Sequence, residues 1–193
     1  MILTINMLLK NLIKNLTINK NIKILGLASN SSEVKKGYIF FAIRGQKSNG
    51  ENFINEAIKK GAVSIVCSNK CNYINKRLPI IRSKNVRKLL SEVSSKFYKS
   101  KPKNIIAVTG TNGKSSVADL FYQILTVNKV PAATIGTLGI KLKKKIIKSN
   151  LTSPDTIKLH QILQKIKKNK IDNVIMEASS HGLKQCRINH LNL

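Results

Sequence analysis

Acidic residues are scarce in this chain. Eight Asp and Glu stand against 35 Lys and Arg in 193 residues, a formal charge of +27. An excess of that size raises the question of a nucleic-acid partner, because clustered Lys and Arg release counterions from phosphate. A second shortage argues against one. Aromatic residues make up 5% of the chain, and no basic stretch is interleaved with them. The lysines are instead scattered along the whole length among Asn and Ile, the residues that AT-rich codons favour. The charge is therefore read as compositional bias with room for a basic pocket that takes an anionic small substrate. No nucleic-acid partner is expected.

Long apolar runs are also missing. No stretch reaches the roughly 18 residues that a membrane-spanning helix needs, so no membrane partner is expected. The first 24 residues are apolar but interrupted by Lys10, Lys14 and Lys20. They lack a small-residue cleavage site and do not read as a signal peptide. Leu8, Leu9, Leu12, Ile13 and Leu16 predict a short amphipathic helix. Cysteine is sparse as well. Cys67, Cys71 and Cys186 give no even disulfide framework. Cys67 and Cys71 have no second Cys/His pair to complete a zinc site. Free thiols in a reducing cytoplasm are the expectation.

What is present divides near residue 100. Val86, Leu89, Leu90, Val93 and Phe97 lie on one face of a helix. The polar run at 99–103, with Pro102, reads as a linker. Domains are expected at 1–98 and 104–193. In the first, Tyr38-Ile39-Phe40-Phe41-Ala42 is a strand, Phe53, Ile54, Ala57 and Ile58 a helix stopping at Gly61, and 62–67 the next strand. This is a small α/β domain. In the second, 105–108 is a short apolar run of buried-strand type. Val117, Leu120, Phe121, Ile124 and Leu125 give the following helix an apolar stripe. Residues 132–136 form a strand. A further helix starts at Ser153-Pro154-Asp155, with Ser153 placed to cap it and Pro154 in its first position. Leu159, Ile162, Leu163 and Ile166 form its buried face. Strand 174–176 follows, with Glu177 just past its carboxyl end, the edge where ligands of open α/β sheets bind.

The strongest local signal is Val108-Thr109-Gly110-Thr111-Asn112-Gly113-Lys114-Ser115-Ser116. A strand runs into a glycine-containing loop, and Gly113-Lys114-Ser115 begins a helix. Glycines let backbone N–H groups approach phosphates. The helix N-terminus adds unpaired donors and partial positive charge. Lys114 can reach the β/γ-phosphates of a nucleoside triphosphate, and the Ser115 hydroxyl can ligate Mg²⁺. The general G-x-x-x-x-G-K-[ST] pattern is not met, because Val108 occupies the first glycine position. A plain glycine turn capping a helix is the alternative.

This loop resembles the ATP loop of Mur ligases and of folylpolyglutamate synthetase, which commonly have threonines where Ser115 and Ser116 stand. Glu177-Ala178-Ser179-Ser180-His181-Gly182-Leu183-Lys184-Gln185-Cys186-Arg187 is similar to the E-x-S-S-H-x-L-x-Q-x-R of the MurE type. Asn150-Leu151-Thr152-Ser153-Pro154-Asp155 resembles that type's N-x-T-[TS]-P-[DE]. Gly37 to Ala42 resembles G-D-x-F-x-A, with Tyr38 in place of Asp. Gly45-Gln46-Lys47-Ser48-Asn49-Gly50 resembles the uridine-diphosphate loop. Asn30-Ser31-Ser32 falls where the family has Asp-Ser-Arg. Ser31 is retained and the Arg is gone, with Lys35, Lys36 or Lys47 as candidate replacements for the charge.

The resemblance implies a small N-terminal α/β substrate-binding domain followed by the first part of a P-loop-type central domain. It implies ATP and Mg²⁺ as cofactors. Gly110, Thr111, Asn112, Gly113, Lys114, Ser115 and Ser116 would bind ATP, and Ser115 and Glu177 would hold Mg²⁺. Lys114, Glu177 and His181 would be catalytic; for His181 a structural role and a direct one near the γ-phosphate both stand. Ser31, Gln46, Lys47, Ser48, Asn150, Thr152, Ser153, Ser179, Gln185 and Arg187 would contact the muramoyl-peptide substrate. Ser153 can both cap its helix and sit beside ligand. The implied reaction joins a diamino acid to UDP-MurNAc-L-Ala-D-Glu through an acyl-phosphate, in a cytoplasmic monomer. The family's central domain continues beyond the Ser-Ser-His motif and a third domain follows. The chain is therefore expected to be an N-terminal portion that does not complete ligation alone. Another ligase of the superfamily and a nucleotide-binding remnant are the alternatives.

Overall fold

In a computed structural model of the protein, residues 6–14, 21–45, 48–142, 145–147, 154–191 and 193 are described. The chain divides into two compact units, Met1–Phe97 and Tyr98–Leu193.

The first unit opens with β1 (Met7–Leu8) and a single helical turn, α1 (Leu9–Leu12). The amphipathic helix expected from 8 to 16 is thus shorter. Leu8 pairs with Lys23 of β2 (Lys23–Ile24), so the helix starts at Leu9, and it ends where Ile13 turns extended (φ −123, ψ 118). Leu9, Leu12 and Ile13 are nevertheless buried, as the periodicity required, while Leu16 lies outside the described residues. Strands β3 (Gly26–Ala28), β4 (Tyr38–Phe41), β5 (Ala62–Ser68) and β6 (Ile80–Ser83) form a four-stranded parallel sheet in sequential order. Between them lie α2 (Ile54–Lys59) and, after the sheet, α3 (Val86–Phe97). Phe40, Ala42, Ile54, Ala57 and Ile65 fill one buried cluster. Cys67 and Cys71 are free and buried there, and burial beside Cys71 pushes the Cys67 thiol up to about 12. Such a thiol stays protonated and unreactive near neutral pH.

The second unit is built on a five-stranded sheet in the order β10-β9-β8-β11-β7. Its strands are β7 (Asn104–Val108), β8 (Ala132–Gly136), β9 (Gly139–Leu142), β10 (Lys145–Ile147) and β11 (Asn173–Glu177). β7, β11 and β8 run parallel, and β9 and β10 extend the sheet antiparallel. The helices are α4 (Lys114–Val127), α5 (Thr156–Lys168) and the short α6 (Ser180–Lys184). Ile105, Ala133, Ile135, Val174 and Met176 share one sheet face and pack with Leu159, Leu163 and Ile166 of α5, with Ile162 partly buried beside them. By the two-residue alternation of a strand, Ile106, Thr134, Ile175 and Glu177 point to the other face. Segment 99–103 is held by the second unit. Pro102 is buried, and Lys103 N donates to Asp172 Oδ1 at 3.1 Å.

Two sequence expectations change here. The cap of α5 is Asp155, whose side chain accepts from Lys158 N at 2.9 Å, so Pro154 precedes the helix rather than opening it. Asp155 is extended (φ −61, ψ 159) directly before the first helical residue, the position from which a side chain reaches the N3 amide. Ser153 itself lies outside the described residues. The stripe of α4 is split: Phe121 and Leu125 are partly buried, while Val117, Leu120 and Ile124 are 49%, 57% and 59% exposed. The helix rests on the sheet through Ala118, its one buried residue among those described. A small side chain permits close approach and turns the bulky neighbours outward.

Candidate active site at the carboxyl edge of the second sheet

Parallel strands β7, β11 and β8 end together. Glu177, the last residue of β11, is in register with Val108 at the end of β7, and Ala178 N donates to Val108 O at 2.8 Å. The glycine loop leaves this edge directly after Val108. Gly113 has φ +79, a left-handed conformation that disfavours any residue with a Cβ, and it supplies no side-chain cap to α4. The first amides of α4 are thus not capped by the residue before them, which suits an anion. Lys114 folds back along the loop. Its Nζ donates to Gly110 O at 2.6 Å and to Thr111 O at 3.1 Å.

Thr111, Asn112, Gly113, Lys114, Ser115, Ser116, Thr137, Glu177 and Ser179 line one cavity of about 390 Å³. It brings together most of the residues that the sequence assigned to ATP and Mg²⁺. Glu177 is 2% exposed. A buried carboxylate facing a serine hydroxyl fits a hard divalent cation, because Mg²⁺ takes one or two carboxylates and fills its remaining positions with water and phosphate oxygens. No group of three or more His, Cys, Asp or Glu occurs among the described residues, so the protein's share of such a site is small. One turn along α4 from Ser115, Asp119 is paired with Lys141 of β9, whose hydrogen bond holds its carboxyl below the usual range.

The segment after Glu177 is arranged by its own side chains. Ser179 Oγ accepts from Gly182 N at 3.0 Å and so caps α6. Arg187 donates to Gln185 Oε1 through Nε at 3.1 Å and through a terminal nitrogen at 2.8 Å. That turns the Gln185 amide nitrogen toward His181 Nε2, 2.6 Å away. An amide nitrogen only donates, so Nε2 is the acceptor in this contact. His181, Gln185 and Arg187 thus form one connected row.

Thr137 is the residue that sequence reasoning missed. It sits in the two-residue turn between β8 and β9, where Gly136 pairs with Gly139. The signal was its place at a strand's carboxyl end, the edge already assigned to ligand.

Residues 108–193 match the model of the Mur ligase middle domain, and residues 23–98 match that of the Mur ligase family catalytic domain. The chain belongs to the Mur ligase family. A curated relative from Rickettsia prowazekii, UDP-N-acetylmuramoyl-L-alanyl-D-glutamate--2,6-diaminopimelate ligase, is 41% identical over 173 residues, covering 88% of this chain and 36% of the relative. The ligase of the same name from Aquifex aeolicus is 38% identical over 169 residues, covering 86% and 34%. A solved structure of a ligase of that name superposes with a TM-score of 0.82 at 25% identity, over 96% of this chain and 38% of the other. MurF ligase from Thermotoga maritima, in complex with ADP, shares the fold with a TM-score of 0.54 at 22% identity, over 86% and 34%. The chain thus spans about a third of the length of the relatives it matches.

The first unit of this Mur ligase chain carries the remaining assigned residues. Ser31 is buried, and its hydroxyl donates to Glu56 Oε2 at 2.8 Å. The basic group beside it is Lys60, which donates to Ser31 O at 3.2 Å and to Glu56 Oε1 at 2.7 Å. Lys35 and Lys36 are exposed. Ser48 is exposed in the loop after β4, where its carbonyl accepts from Gly45 N at 2.9 Å. Nearby, Arg44 pairs with Glu51 at 2.8 Å. Gln46, Lys47, Asn150, Thr152 and Ser153 lie outside the described residues.

Proposed function

We propose that this chain supplies the substrate-binding and ATP-binding portions of a MurE-type ligase. That enzyme would join a diamino acid, meso-diaminopimelate, to UDP-MurNAc-L-Ala-D-Glu in peptidoglycan synthesis, acting as a cytoplasmic monomer. The observation that carries the reading is the convergence of Lys114, Ser115 and Glu177 on one cavity at the carboxyl edge of the parallel strands. In the reaction, the γ-phosphoryl group of ATP passes to the terminal carboxylate of the substrate and ADP leaves. The amine of the diamino acid then attacks the acyl-phosphate, and inorganic phosphate departs. Little covalent chemistry falls to the protein, so positioning and charge neutralisation dominate. Lys114 and the amides of the loop and α4 stabilise phosphate charge. Ser115 and Glu177 would hold Mg²⁺, which neutralises the phosphates when bound. His181, in contact with Gln185, would act near the γ-phosphate, and Arg187, a bidentate donor, suits an anionic substrate group.

A second reading has its own support. In it these two units bind nucleotide without completing ligation, since the glycine loop, Lys114, Ser115 and Glu177 line one cavity by themselves. Purified residues 1–193, given ATP, Mg²⁺, UDP-MurNAc-L-Ala-D-Glu and either diaminopimelate or lysine, separate the two. Mg²⁺-dependent nucleotide binding without tripeptide is the expected result. Substrate-dependent phosphate release with tripeptide would show that these two units suffice. Absence of nucleotide binding would count against both.

A further inference from the structure

Glu177 is held by one residue on both carboxylate oxygens. Thr137 N donates to Oε1 at 3.0 Å, and Thr137 Oγ1 donates to Oε2 at 3.0 Å. The preceding residue makes room for this. A Cβ on Gly136 would stand 2.1 Å from Glu177 Oε1 and 2.6 Å from its Cδ, so any side chain there displaces the carboxylate. The two-residue turn between β8 and β9 is therefore shaped around Glu177. Its glycine removes a side chain where the carboxylate lies, and its threonine supplies two donors that fix the plane of the carboxylate.

We propose that Thr137 is a positioning residue for the Mg²⁺ of the nucleotide site, acting through Glu177. The proposal rests on the ATP·Mg²⁺ reading of the cavity that both residues line. An ionised carboxylate has about four lone-pair sites. Thr137 occupies one on each oxygen. Second-layer donors of this kind fix the orientation of a metal ligand, and their loss typically costs about 10–100-fold in metal affinity. The backbone donor fixes one oxygen and the hydroxyl the other, so the pair opposes rotation of the carboxylate about its Cγ–Cδ bond.

The alternative is that Thr137 only shapes the hairpin. Titration of the intact chain with a non-hydrolysable ATP analogue across a Mg²⁺ series, and again in EDTA, separates the two. Thr137→Val keeps the branched shape and the backbone donor and removes the hydroxyl. Half-saturating Mg²⁺ should rise about tenfold, with EDTA affinity and melting temperature unchanged, and Thr137→Ser should restore it. Gly136→Ala retains the hydroxyl and pushes the carboxylate aside, so it should raise half-saturating Mg²⁺ as well. A wild-type Mg²⁺ midpoint in Thr137→Val, or an equal loss with and without Mg²⁺, overturns the positioning role while leaving the nucleotide site standing. A wild-type chain whose analogue binding ignores Mg²⁺ overturns the site reading and this proposal with it.

Discussion

Two helices lie on opposite faces of the second unit's sheet, and they are held in different ways. α5 buries Thr156, Ile157, Leu159, His160, Leu163 and Ile166. α4, of similar length, buries Ala118 alone among its described residues and turns Val117, Leu120, Ile124 and Val127 outward. Spaced 3, 4 and 3 apart, these four residues make a continuous apolar seam along the exposed side. α5 is thus fixed by its flank. α4 lies close over β7, β8 and β11 with only Ala118 fully buried and Phe121, Tyr122 and Leu125 half-buried, and its first turn follows directly on the loop from β7. A helix that presents its N-terminus to a ligand needs a well-defined start more than a deep footing.

The widest gap between the helices should appear in acid. His160 on α5 is 0% exposed, and neither ring nitrogen has a hydrogen-bond partner. Burial, together with the nearby cations Lys101 and His190, pushes its pKa down to about 3. Unfolded histidine takes up its proton near pH 6.5. The stabilisation from a neutral His160 is therefore complete above that pH and is lost as pH falls from about 6.5 toward 3. The full amount is on the order of 4 kcal/mol. Urea unfolding of the wild type and of His160→Leu across that window should show a steeper acid slope for the wild type. Equal slopes would mean that His160 is not held neutral.

Next in size, Leu163→Ala on α5 should cost about 2–5 kcal/mol in the same melts, the range for emptying a packed leucine site. A loss below about 1 kcal/mol would show that α5 is not the better anchored helix. Lys114→Ala tests the other half of the comparison. Removing a charge-assisted contact worth about 1.5–3 kcal/mol should weaken nucleotide binding by roughly one to two orders of magnitude with little change in melting temperature. Calorimetry giving equal affinities would sink the assignment. The smallest effect belongs to the outward seam. Ile124→Lys should change stability by no more than about 0.5 kcal/mol, as surface substitutions usually do. It should reduce binding of a hydrophobic dye and raise solubility, because it interrupts an exposed apolar strip. A cooperative loss of structure would place Ile124 in a core instead.

Much of this architecture was legible because it was written in local patterns. Residues 104–108, the glycine loop and the start of α4 carry strand, turn and helix signals in one continuous run. Glu177 was readable from its place at the end of an apolar strand, off by one residue because parallel pairing with Val108 extends β11 through it. What stayed hidden depends on tertiary choices. Periodicity gives α4 an apolar side but does not say that Ala118 will take the sheet and leave Leu120 outside. The N-terminal segment has helical spacing, yet Leu8 is taken by pairing with Lys23 and Ile13 is already extended, which leaves one helical turn. Thr137 carries only a positional signal, its place after strand 132–136. Its part follows from Gly136, Glu177 and the hairpin meeting at one edge, which only the folded sheet brings about.

Lys114 has a consequence of another kind. Its ammonium already rests on the carbonyls of Gly110 and Thr111. On the proposed reading, nucleotide binding at this loop would be an exchange reaction, in which phosphate oxygens replace peptide oxygens as partners of the same cation. The measured affinity reports the difference between two well-coordinated ammonium environments, which is smaller than either one. The same arrangement makes the lysine a counter-charge for its own loop, drawing two inward-facing carbonyls together. Anions too small to bridge the loop gain little by competing for it, whereas a polyphosphate can draw Lys114 away and still engage the amides of α4. On that reading, a preference for long phosphate chains would precede any contact to a base or sugar.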